Sequence, residues 1–146
     1  MKPKKLRVKK SFRPQPANAE DEIYPNGIFE FNITKLITFI KDNPDQFPIE
    51  QIKVSSLGSG AFERLNNETV ESANVGNPIV LAEISPGRFN VIDGNHRVEK
   101  ARRLGMDRIP AYRVQAEQHI AFLTSVRAYE AYVEYWNGKV DNYVST

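Results

Sequence analysis

Five consecutive residues, Asp93-Gly94-Asn95-His96-Arg97, stand between an apolar strand ending, Val91-Ile92, and a helical pattern that stops at Gly105. A strand-to-helix corner needs one turn residue and one cap. The additional carboxylate, imidazole and guanidinium therefore ask for a ligand. The first N–H groups of a helix have no partner inside it, and the helix dipole is positive there, so an anion is favoured. Gly94 has no side chain to hold a ligand away from those groups, and Asn95 can cap the helix. His96 and Arg97 add donors, and the guanidinium fork matches a phosphate. Asp93 can hold a sugar hydroxyl, Arg97, or an Mg2+ ion carried in by a phosphate. The five predict a compact site for a phosphate-bearing small molecule, with His96 and Arg97 also candidates for catalysis. Each residue has a plainer reading, as cap, turn former or surface histidine; the set exceeds what a corner needs.

The elements that position this corner are legible from periodicity. Asn32-Ile33-Thr34 caps a helix over about Thr34 to Asp42, with Leu36, Ile37, Phe39 and Ile40 as its apolar stripe. A short strand, Gln51 to Ser55, is followed by the glycine-bearing Leu57 to Ala61 and a short helix around Glu68 to Ala73. Pro78 to Ile84 is a strand whose unbroken apolar run predicts burial on both faces. Ser85-Pro86-Gly87-Arg88 turns the chain into its hairpin partner, Phe89 to Ile92. The helix from Asn95 to Leu104 buries Val98, Ala101 and Leu104 and turns Glu99, Lys100, Arg102 and Arg103 to water, and Ile109 to Val114 is a further strand. In Gln118 to Asn137, Phe122, Val126, Tyr129, Val133 and Trp136 recur at helical spacing, predicting one long amphipathic helix ended by Gly138. Its aromatic stripe is core, or a homodimer surface anchored by Tyr132, Tyr135 and Trp136. The fold class is α/β (α+β), with a small mixed sheet and flanking helices.

The 146 residues suffice for one domain with a hydrophobic core. No cysteine is present, which excludes disulfides, thiolate metal sites and sulfur nucleophiles. No apolar run approaches the roughly 18 residues of a membrane span, and no apolar segment follows the basic N-terminus, so a cytoplasmic protein is expected. The net charge of +2 conceals an asymmetry: residues 1–13 carry seven Lys or Arg and no acid, leaving the remainder at −5. Residues 1–22 read as a basic, flexible arm and 23–146 as a single domain, with its core at 50–115 and its terminal helix at 117–137. The arm offers residues 2–13 to nucleic acid or an acidic protein.

Gly76, Pro78-Ile79-Val80, the Asp93–Arg97 turn, Ala101, Gly105 and Ile109-Pro110 follow one another with the order and spacing of the ParB/sulfiredoxin superfamily, which the chain resembles over about residues 50–115. Partition proteins of that superfamily carry Gly-Glu-Arg-Arg at the turn and bind CTP; sulfiredoxins carry Gly-Cys-His-Arg and use ATP. Asn95 stands at the sulfiredoxin cysteine, which excludes sulfinic acid reduction. The turn is most similar to an Asp-Gly-led kinase branch. The resemblance thus implies a nucleotide of the ATP or CTP class with Mg2+, and NTP hydrolysis or phosphoryl transfer using a carboxylate upstream, for which Glu63 and Glu68 are the candidates. The alternatives are a DNA- or protein-binding module built on the arm and aromatic helix, and a ParB-like nuclease.

Overall fold

The computed structural model describes residues 2–26, 29–57 and 65–143. In chain order the elements are β1 (Ile23–Asn26), β2 (Phe29–Asn32), α1 (Ile33–Asp42), β3 (Glu50–Lys53), α2 (Asn67–Ser72), β4 (Ile79–Ser85), β5 (Arg88–Asp93), α3 (Asn95–Arg103), β6 (Arg108–Val114), α4 (Ala116–His119) and α5 (Val126–Asp141). β1 and β2 form a separate antiparallel hairpin; the main sheet runs β3-β6-β4-β5. Among the described residues only β4 and β6 pair in parallel. That arrangement is what a hairpin followed by a crossover helix, α3, produces. Pro110 sits one residue before β6 begins to pair with β4, where its missing N–H breaks no bond to that strand.

β4 explains its own composition. Ile79 and Leu81 face α3, together with Val98, Ala101, Ile109 and Ala111. Val80, Ala82 and Ile84 face the opposite way into a larger core with Leu36 and Ile40 of α1 and Tyr132, Val133 and Trp136 of α5. Side chains alternate across a strand, so a strand covered on both faces must be apolar throughout. Each fully buried aliphatic side chain contributes about 1.5–3 kcal/mol. α1 is capped as expected: Asn32, fully buried, accepts from Lys35 N at 3.1 Å.

The C-terminal third departs from the expected single helix. The chain breaks between α4 and α5 because residues 123 and 124 are drawn into extended pairing. Leu123 bridges Phe31, its carbonyl accepts from Gln15 N, and Thr124 N donates to Glu30 O. Ser125 then caps α5, accepting from Ala128 N at 3.0 Å. Gly138 lies inside α5, and Asn142 is its C-cap. Val126, expected on the apolar face, is exposed, and Phe122 lies before the helix. Of the two readings of the aromatic stripe, Tyr132 (0% exposed) and Trp136 (5%) follow the first: both are core residues of this chain and not dimer anchors. No helix among the described residues is long and apolar enough to cross a membrane.

At the centre of this core lies His119, fully buried, packed edge-on against Phe31 and Tyr132. Its Nε2 lies 2.6 Å from Glu83 O, so Nε2 carries the proton and donates; Nδ1 has no partner. Burial pushes its pKa down to about 4, against the smaller opposing pull of the Glu83 carbonyl. The unfolded chain takes up a proton near pH 6.5 that the folded chain refuses. This contribution to stability is complete above that pH and is lost progressively as pH falls towards 4, by on the order of 3 kcal/mol. Denaturant titrations between pH 7 and 4 are expected to show that slope, and His119→Phe to flatten it. In α5, a Cβ added at Gly138 meets nothing within 4 Å. Gly138→Ala is expected to raise stability by about 0.5–1 kcal/mol in the same titrations.

Candidate functional site

β5 ends at Asp93, opposite Val80 of β4. The chain then reverses through Gly94, whose φ of 103° places it in the left-handed region. A Cβ there would stand 2.6 Å from Cγ2 of Ile79 and 3.2 Å from Cζ of Arg97, so packing and backbone conformation both require glycine. Gly94, and not Asn95, is the N-cap of α3; Asn95 is the first helical residue, and no side chain caps the turn. The first bond back to the corner is Val98 N to Gly94 O. The N–H groups of Asn95, His96 and Arg97 precede it and are left without a capping side chain, as an anion site requires.

Arg97 is oriented inward. Its Nη1 donates to the carbonyls of Asn77 (3.1 Å) and Pro78 (2.7 Å), and its Nη2 pairs with Asp93 Oδ2 at 2.9 Å. Three of its five N–H donors are thereby engaged. Asp93 is the partner of Arg97, one of the three roles expected for it; the other two concern its remaining oxygen. His96 Nε2 accepts from Asn66 N at 3.3 Å, so the imidazole carries its proton on Nδ1 when neutral and ties the α2 cap to α3. Two further cations of α3 are also engaged with α2. Lys100 Nζ donates to the carbonyls of Glu71 (2.6 Å) and Ala73 (2.8 Å) at the end of α2, and Arg103 Nη2 to Asn67 Oδ1 at 3.0 Å. Lys100, expected to face water, is half-buried, and Arg103 is exposed as expected; both clamp a six-residue helix too short to hold itself in place, whereas Leu104, expected on the buried side, is exposed.

That clamp makes α2 one wall of a cleft of about 510 Å3 in front of the α3 N-terminus. Asp93, Gly94, His96 and Arg97 form its end, and Thr69, Ser72, Asn74 and Asn77 its polar flank. Ile37, Ile40, Val80 and Tyr112 supply an apolar floor, with Lys41 at its side. The corner thus opens into a cavity lined by both polar and apolar groups. Asn95 does not line it. Of the carboxylates put forward as bases, Glu68 is exposed in the first turn of α2 and outside the cleft lining, and Glu63 lies outside the described residues. No group of three or more His, Asp or Glu side chains able to hold a metal ion occurs among the described residues.

Lys41, Tyr112, Thr69, Ser72 and Asn77 escaped the sequence reading. Asn77 adjoins the Pro-Ile strand and was within reach of a local argument. Lys41 and Tyr112 come from α1 and β6 through tertiary packing and leave no local signal. Gly94→Ala is expected to destabilise the fold by about 2–4 kcal/mol, combining left-handed strain with the clash against Ile79. A thermal melt checks this, and an unchanged midpoint would show that the corner is not packed as described.

The ParB N-terminal domain family matches residues 39–126, from within α1 through all four strands of the main sheet and α3 to the first residue of α5. No curated protein and no solved structure matches the chain. The match covers well over half of the 146 residues and contains the whole cleft-forming corner, so the chain belongs to the ParB N-terminal domain family.

Proposed function

We propose that the cleft binds a nucleoside di- or triphosphate of the ATP or CTP class, its phosphates at the α3 N-terminus. The observation that carries this reading is the pair of uncapped helix-start residues His96 and Arg97, bared by Gly94 and lining a cavity that also has apolar walls. Backbone N–H groups and a positive helix end suit phosphate oxygens. Ile37, Ile40, Val80 and Tyr112 suit a base ring, and Asn74 and Asn77 can meet its polar edge or the sugar. Inorganic phosphate alone would leave those walls unused.

The roles within the site follow from geometry. The backbone of His96 and Arg97 receives phosphate oxygens. Lys41, a cation of the last turn of α1, balances a second phosphate. The Asp93 oxygen that Arg97 leaves unengaged accepts from a sugar hydroxyl or meets Mg2+ bound to the phosphates. Arg97 holds Asp93 and the approach to β4 in place, and its remaining donors add positive charge at the cleft end. When present, Mg2+ would neutralise phosphate charge. This arrangement supports binding ahead of turnover, since Asp93, the carboxylate that lines the cleft, is already paired with Arg97.

Calorimetry with ATP, ADP, CTP and GTP, each with Mg2+, is expected to give saturable heat for at least one nucleotide. Lys41→Glu, a change at an exposed helix end, is expected to weaken it about tenfold or more through charge reversal beside the phosphates. Absence of heat from every nucleotide with folded protein would end this reading. So would binding that neither Lys41→Glu nor His96→Ala alters.

A further inference from the structure

The basic arm has a more definite structure than its composition predicts. Residues 4–9 lie along α5, which holds them by main-chain atoms. Trp136 Nε1 donates to Lys4 O at 2.8 Å. Asn137 forms a two-way clasp on Leu6, Oδ1 accepting from its N at 2.8 Å and Nδ2 donating to its O at 2.9 Å. Tyr129 OH donates to Arg7 O at 3.1 Å and accepts from Lys9 N at 2.8 Å. The chain then turns, Phe12 N donating to Lys9 O, and Phe12 stacks on Tyr129 with ring centroids 4.0 Å apart and planes 2° from parallel.

A grip on the backbone leaves the side chains available. Arg7, Lys9, Lys10 and Arg13 are exposed, and none makes an ion pair among the described residues; Lys5 pairs with Asp141 at 2.9 Å. Lys5, Arg7, Lys9 and Arg13 line a groove of about 680 Å3 between the arm and the helical segment 117–129, together with Phe12 and Tyr129. Glu117 is the carboxylate in that lining.

From this we infer that the groove between the arm and α5 is a binding site for single-stranded nucleic acid, read through its phosphate backbone without sequence preference. The backbone that carries the cations at 7 and 9 is already held by Tyr129 and Asn137, so it needs no ordering when a ligand arrives. Counterion release then drives association. Phe12, stacked on the buried ring of Tyr129, offers its partly exposed ring to a base, and Glu117 can accept from a base amino group or a ribose hydroxyl. A duplex would need a broad basic face, and the rest of the chain carries a net −5. An acidic peptide would use the cations but not the Phe12 ring. This inference is independent of the nucleotide cleft, which lies against α1, α2 and α3.

The test is fluorescence anisotropy with a labelled mixed-sequence single-stranded DNA of twenty nucleotides and the full chain, at several KCl concentrations. Saturable binding that weakens steeply with salt is expected. The double variant R7E/K9E should weaken binding at least tenfold and make the logarithmic salt slope shallower by roughly 1.4, about 0.7 for each phosphate no longer neutralised. The conservative pair R7K/K9R should retain binding, and circular dichroism should show both variants folded. Binding that R7E/K9E leaves unchanged would overturn the inference. Equal or tighter binding of the matching duplex, or of a polyglutamate peptide, would overturn it equally.

Discussion

The guanidinium of Arg97 is the point on which the architecture around the cleft converges. It reaches from the first turn of α3 to two carbonyls just ahead of β4 and to the carboxylate that ends β5. Three segments that meet at the cleft end are thereby fixed with respect to one another by one planar, permanently charged group. The pair with Asp93 is mostly withdrawn from solvent, with 18% and 20% of the two side chains exposed. A charge removed from water to that extent is costly to leave unpaired, so neither partner can be lost without the other becoming a liability. Gly94 completes the constraint, because only a residue without a Cβ lets the chain pass so close to Ile79 and still reverse.

From that fixed corner the rest follows outward. α3 is held against the sheet by Val98 and Ala101, and its outer cations hold α2, which has little of its own to hold it. The cleft wall opposite α1 is therefore an indirect product of α3. A surface helix of nine residues with three basic groups in its last turn would ordinarily be read as solvated. Here two of those groups serve as tethers. The same economy recurs at the other end of the molecule, where Tyr132 and His119 both address the backbone of residues 83 and 84 and so tie α4 and α5 to β4.

Much of this was legible beforehand, for reasons tied to particular residues. The apolar run Ile79 to Ala82 announced a strand buried on both faces, and Asn32 announced its helix cap. The polar surplus at Asp93–Arg97 announced a corner with more chemistry than a turn needs. What could not be read was anything decided by distant partners. The split of the terminal helix depends on β2 and the arm competing for residues 123 and 124, although Ser125 carried a cap signal that could have been weighed. That Asn95 begins its helix while Gly94 caps it depends on the approach of Ile79. The pairing of Arg97 with Asp93 was among the roles read for that carboxylate, but its carbonyl acceptors at Asn77 and Pro78 carry no mark in the sequence.

The hold that α5 exerts on the N-terminal segment has an implication for how such a chain can change over time. Trp136, Asn137 and Tyr129 recognise peptide groups, which every residue other than proline presents alike. The letters at positions 4, 7 and 9 can therefore be rewritten without loosening the latch. Related chains could keep this helix intact while turning the strip beside it acidic, neutral or aromatic, altering what they attract and leaving the fold as it is.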